Sequence, residues 1–243
     1  MSSASRAQIL VLKDPASAAA DRIISAAEAG GHIALAGGST PKAAYQAMAA
    51  SGADLTSATF WFGDERCVSP DHEDSNFKMV REALFDRLDY EAMVRRMRGE
   101  LGPEEGARAY ERELYDALPS GRFDLVLLGM GPDGHCASLF PNAPALDEGQ
   151  RLATGVPQAG MEPLVARITL TLPAINAARE VVFLAAGEGK ADAVARAFSA
   201  TPDPATPSSL VGPSDGGVVV LLDEAAAALH PGSGAAGGAA SSA

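Results

Sequence analysis

The chain has 243 residues, 47% hydrophobic and 21% charged, with a formal net charge of −12. These proportions argue against general disorder, and the negative charge disfavours nucleic acid and anionic membrane as partners. A phosphorylated substrate would also be repelled unless a few cations sit together in one place.

The start of the chain has neither a basic n-region nor an apolar h-region, so no secretory signal is expected there. Residues 9–12 read as a strand and 16–29 as a helix stopped by Gly30-Gly31. Residues 32–36 form a second strand, after which Gly37-Gly38-Ser39-Thr40-Pro41 opens a helix, with Pro41 suited to its first turn. A third strand covers 59–62, followed by a polar loop and a helix over 76–85. Residues 103–118 are amphipathic, as expected of a helix covering a sheet, and 123–128, with Leu, Val and Leu in unbroken sequence, reads as a central strand. Strands at 167–172, 181–186 and 218–222 follow, with a helix over 190–198 and a last one behind the final strand.

This alternation predicts an α/β fold with right-handed βαβ units and a doubly wound, mostly parallel sheet flanked by helices. Residues 1–230 read as a single domain, 231–243 as a flexible Gly/Ala/Ser tail, and 1–6 as loose. No apolar run is long enough to cross a bilayer. The two cysteines, Cys67 and Cys136, have no metal-type spacing, and a reducing, cytoplasmic setting is expected.

In open parallel sheets, ligands bind beyond the carboxyl ends of the strands. The loop after the second strand, Gly37-Gly38-Ser39-Thr40, offers close backbone approach and free N–H groups to a phosphate; the plainer reading is a tight turn with a Ser/Thr cap. After the third strand, Asp64 and Arg66 sit where a ligand would meet them, and the plainer reading is a surface ion pair. Asp71, Glu73 and Asp74 read as a solvated loop and helix cap.

The loop after the central strand, Gly129-Met130-Gly131-Pro132-Asp133-Gly134-His135, carries the sharpest signal. It matches a dinucleotide fingerprint, but that motif needs a helix next and a strand ending in an acid roughly 20 residues on. Here residues 135–140 run straight into Pro141-Asn142-Ala143-Pro144, so the dinucleotide reading fails. What remains is a glycine-rich loop presenting Asp133 and His135, with the acid placed to orient a general base. His32, His72 and His230 read as structural or surface residues. Cys136 reads as a packing residue, because neighbouring side chains at a helix start diverge and do not face each other, and Ser138 lacks a nucleophile elbow. Lys190, in Gly187-Glu188-Gly189-Lys190, would supply positive charge; Arg167 joins it only if its strand runs antiparallel, and the sequence leaves that open.

Together the stretches AGGSTP (36–41), FGDER (62–66), Ser75-Asn76, LGMGPDGHCASLFP (128–141), RITLT (167–171), GEGK (187–190) and PSSLV (207–211) resemble the 6-phosphogluconolactonase family, in the family's order. The resemblance implies a Rossmann-like sheet with some antiparallel strand additions. It also implies hydrolysis of 6-phospho-D-glucono-1,5-lactone in the oxidative pentose phosphate pathway, without metal or organic cofactor, by a monomer. By position, His135 would activate water, Asp133 and Asp64 would arrange the site, and Arg66 would lie near the substrate. Arg167, Lys190 and the Gly37–Thr40 loop would hold the phosphate, with loop N–H groups or Arg66 stabilising the oxyanion. Cys136 stands where the family usually has threonine.

Two rivals remain. A glucosamine-6-phosphate deaminase would share the scaffold and similar GGSTP and DGH segments, but usually carries Tyr where this chain has Arg66. A non-catalytic sugar-phosphate sensor would need a DNA-binding segment or partner, and no basic helix-turn-helix is visible.

Overall fold

A computed structural model describes residues 7–118, 121–198 and 201–230, so the tail expected at 231–243 and the loose start at 1–6 lie outside the described residues. In chain order the elements are β1 (Gln8–Val11), α1 (Pro15–Glu28), β2 (His32–Leu35), α2 (Ser39–Ser51), β3 (Thr59–Phe62), β4 (Asp64–Arg66), α3 (Asn76–Ala83) and β5 (Met93–Val94). Then come α4 (Pro103–Ala117), β6 (Leu125–Leu128), β7 (Ala153–Val156), β8 (Arg167–Leu170), α5 (Leu172–Asn176), β9 (Glu180–Ala185), α6 (Ala191–Ala197), β10 (Gly217–Leu222) and α7 (Glu224–Ala227).

Seven strands form one parallel sheet in the order β1-β10-β9-β6-β2-β3-β5. The apolar run of β6 places it between β2 and β9, where all four of its residues are buried. Local signals start the helices: Asp14 accepts the Ser17 N–H at 2.9 Å ahead of Pro15, and Ser75 accepts the Lys78 N–H at 3.1 Å ahead of α3.

Three strands stand apart as an antiparallel sheet in the order β4-β8-β7. Residues 64–66 were expected in a loop; they form β4, a strand too short and polar to show an apolar alternation. Because β8 is antiparallel to it, Asp64 faces Thr169 and Arg66 faces Arg167 in register. This orientation brings Arg167 to the ligand end of the large sheet.

Two buried tyrosines fasten the strand ends beneath that region. The Tyr45 hydroxyl donates to Ala36 O at 2.7 Å and accepts the Ala36 N–H at 2.9 Å, just past β2. The Tyr110 hydroxyl does the same for Phe62 at the end of β3, at 3.0 and 2.9 Å. Each satisfies a donor and an acceptor where the chain leaves the sheet, so the loops depart from fixed points. Burial pushes both phenols well above their usual range.

At the opposite end of the sheet, His32 Nδ1 accepts the indole N–H of Trp61 at 3.1 Å. A protonated imidazole has two donors and no acceptor, so this bond needs a neutral ring. Burial holds His32 below the usual 6.5, with Arg95 adding to the shift and Asp124 opposing it. The unfolded chain therefore takes up the proton first, and this part of the stability is complete above 6.5 and lost as pH falls toward the depressed folded value. The thermal midpoint, followed by emission from the single tryptophan, should fall between about pH 7.5 and about pH 5.5. His32→Gln should fall less over that interval; an equal fall in the variant would assign the loss to other groups.

Candidate active site

A cleft of about 250 Å³ opens where β2, β3, β6 and β9 end, and every site residue expected from the sequence except Asp133 lines it; Asp133 lies behind His135. The cleft has two chemically different regions.

In the first, the chain leaves β6 in a tight glycine turn, with Gly131 N–H bonded to His135 O at 2.9 Å and Gly134 N–H to Gly131 O at 3.0 Å. The turn folds Asp133 back on His135, so that Oδ1 lies 2.6 Å from Nδ1 and also accepts the His135 N–H at 3.1 Å. Asp133 is thus the acid that orients the ring. Burial pushes its carboxyl up, but the His135 hydrogen bonds and charge outweigh burial and hold it below the usual range. An ionised carboxylate at Nδ1 favours the neutral-ring tautomer with its proton on Nδ1, which leaves the lone pair on Nε2. The ring rests against Phe140 at 4.8 Å between centroids and against Gly131, where a Cβ would overlap both the imidazole and the Asp133 carboxylate.

The second region gathers positive charge. Arg66 and Arg167 share one face of the small sheet as opposed residues. Arg167 is only 3% exposed, and its guanidinium donates to the carbonyls of Pro163 at 2.7 Å and Val165 at 3.1 Å. Burial and then the like charge of Arg66 hold it below the usual range, against the pull of Asp64, Asp74 and Glu65. Arg66 donates to Asp74 O at 2.5 Å, while its buried Nε has no partner among the described residues. Opposed like charges and an unanswered donor are costly alone and favour a bound anion. Lys190 adds a third cation, its ammonium lowered by burial against the opposing charge of Asp133. The first turn of α2, entered through Gly38 at φ 102°, has no side-chain cap and leaves its N–H groups to an anion.

Asp64 lies between the two regions. Its Oδ2 accepts the Ser138 hydroxyl at 2.6 Å and its Oδ1 the Asn76 amide at 3.1 Å. Among the described residues it makes no hydrogen bond to His135, so the two acids do different things. Asn76 also packs so closely on Gly37 that a Cβ there would overlap its amide.

Several contributors were not assigned a role from the sequence. Buried Glu65 faces the other side of β4 and accepts the N–H groups of Arg66, Asn76 and Phe77 and the Ser75 hydroxyl, at 2.7–3.0 Å. Burial pushes its carboxyl up while those four bonds pull it down. It holds the start of α3 so that Asn76 reaches Asp64. Ser138, Phe140 and the 161–165 segment were missed as well. Cys136 is buried as expected and its thiol is pushed up to about 12, so it stays protonated. The helix start expected around it is instead a turn, closed by Leu139 N–H on Cys136 O at 3.0 Å. Among the described residues no group of three or more His, Cys, Asp or Glu side chains is placed to hold a metal ion.

The family model described as glucosamine-6-phosphate isomerases/6-phosphogluconolactonase matches residues 10–220. A 6-phosphogluconolactonase of Synechocystis sp. is 44% identical over 201 residues, covering 79% of this chain and 82% of the relative. The solved structure of 6-phosphogluconolactonase from Trypanosoma brucei superimposes with a TM-score of 0.80 at 31% identity, covering 92% of this chain and 98% of that one. A monomeric glucosamine-6-phosphate deaminase reaches the same TM-score at 20% identity over 93% of this chain and 100% of its own, which is a likeness of fold.

Proposed function

This chain belongs to the family of glucosamine-6-phosphate isomerases and 6-phosphogluconolactonases, and we propose that within it the protein is a cytoplasmic lactonase. Its substrate is 6-phospho-D-glucono-1,5-lactone and its product 6-phosphogluconate, formed in the oxidative pentose phosphate pathway by residues 1–230 as one catalytic domain. The observation that carries this reading is the 2.6 Å His135–Asp133 pair in a cleft whose other region gathers Arg66, Arg167 and Lys190.

The phosphate lies against the cations and the first turn of α2, which sets the lactone carbonyl near His135. Water attacks the carbonyl carbon while His135 Nε2 takes its proton, and the Asp133 carboxylate supports the imidazolium. The tetrahedral oxyanion collapses as the bond from C1 to the ring oxygen breaks. His135 returns its proton to that oxygen, so the net change is addition of one water. A δ-lactone is intrinsically reactive, and a base with an orienting site is sufficient. Asp64, with both oxygens already accepting bonds, orients the site and is ill suited to shuttling a proton to carbon, which favours hydrolysis over the deaminase reaction.

The test generates the lactone in situ from glucose 6-phosphate with its dehydrogenase and follows 6-phosphogluconate through a second one. Acceleration above spontaneous hydrolysis is expected; none, together with turnover of glucosamine 6-phosphate, would transfer the chain to the deaminase reaction. In the same assay Arg167→Leu should raise KM roughly 10–100-fold, the worth of one charge-assisted hydrogen bond at about 1.5–3 kcal/mol. An unchanged KM would place the phosphate elsewhere.

A further inference from the structure

The turn after His135 has Ala137 and Ser138 at its corner. Ala137 lines the cleft with φ at 48°, in the left-handed region that an alanine enters only at an energetic cost. Among the described residues the other non-glycine residue with positive φ is Asn142, a residue type that tolerates it. Rotation about φ carries the N–H around the bond to Cα, so the unusual value at Ala137 sets where its own amide points.

Three amides around it are occupied, while the Cys136 N–H, on a residue buried beneath the turn, has no acceptor among the described residues. The His135 N–H goes to Asp133 Oδ1 at 3.1 Å, Ser138 N–H to Thr169 Oγ1 at 3.1 Å, and Leu139 N–H to Cys136 O. The Ala137 N–H has no acceptor among the described residues. Nor is the corner free to swing and find one, because Ser138 is tied to Thr169 and also to Asp64 through its hydroxyl at 2.6 Å. The N–H at the first corner of a turn has no partner inside the turn, and here a strained backbone holds it at the cleft two residues after the base.

We propose that the Ala137 N–H donates to the oxyanion formed on the lactone carbonyl oxygen, so that a single turn presents both the base and the oxyanion donor. The role rests on the lactone hydrolysis reading. Attack by water forms the new C–O bond and moves the carbonyl π pair onto its oxygen, which accepts the Ala137 hydrogen bond. The pair returns to the carbonyl as the bond to the ring oxygen breaks and that oxygen takes the proton from His135. The bond strengthens only as charge develops, so it acts on kcat and not on substrate affinity.

The direct test replaces the amide at position 137 with an ester by incorporating L-lactic acid, which keeps the methyl side chain. Since that N–H has no partner in the folded chain, the thermal midpoint should hold. In the ester protein kcat should fall roughly 10²–10³-fold, with KM within about twofold and the acid limb of the kcat/KM profile in place. An ester protein with unchanged kcat, or one in which only KM rises, overturns the role. Should the ester protein fail to fold, a side-chain variant decides. Ala137→Val, whose branched side chain resists positive φ, should lose kcat at unchanged KM. A valine variant with parental kcat refutes the assignment. If the unmodified protein does not accelerate hydrolysis, the lactonase reading falls first and this role with it.

Discussion

Replacing His135 with alanine should lower kcat roughly 10²–10⁴-fold and leave KM close to its original value. The asymmetry follows from the separation of the two regions of the cleft. In the proposed reaction Arg66, Arg167, Lys190 and the first turn of α2 would hold the anionic end of the substrate, and their place in the cleft does not depend on the imidazole. What disappears is the lone pair that accepts the proton of water, and with it the acid that protonates the ring oxygen. Residual rate above the spontaneous reaction would measure binding orientation and oxyanion stabilisation alone. The coupled lactone assay reads both parameters after subtraction of the uncatalysed rate. Full retention of kcat would move the base elsewhere in the cleft.

Gly131→Ala should give a folded protein with kcat reduced at least about 10²-fold, the scale of losing an oriented base. Gly131 is not among the glycines with positive φ, so its backbone accommodates alanine. The collision is with the reactive pair itself, because the new methyl would occupy the place of the His135 ring and the Asp133 carboxylate. Gly134 makes the contrast: its φ of 88° strains any side chain, and a Cβ would come within 2.7 Å of Thr206. Substitution there should cost stability as well as rate, whereas at Gly131 the thermal midpoint should stay near that of the parent. A Gly131→Ala protein with parental kcat would mean that the ring need not lie where it is found.

The parallel sheet was legible in the sequence because burial on both faces produces unbroken apolar runs, as in β3 and β6. Of the small sheet, β8 was read as a strand and antiparallel additions were expected from the resemblance, but β4 is Asp-Glu-Arg and β7 contains Thr and Gly, and neither alternates. The direction of Arg167 was therefore decided only by its pairing with Arg66. The same division runs through the site. Asp133 and His135 are two residues apart inside a glycine turn, so local spacing exposed them. Glu65, Asn76 and Ser138 act through partners 11, 12 and 74 positions away, and no periodicity or local motif signals such a bond.

The two tyrosines under the cleft have a consequence for how activity titrates. A hydroxyl that donates to one backbone group and accepts from another forms a joint without using charge, and burial keeps Tyr45 and Tyr110 from ionising across the working range of the protein. The floor of the site is therefore indifferent to pH, and the titrating groups sit above it. An alkaline decline in substrate affinity would belong to Lys190, whose half-buried ammonium gives up its proton more readily than an exposed lysine, and would leave the geometry of the strand ends untouched.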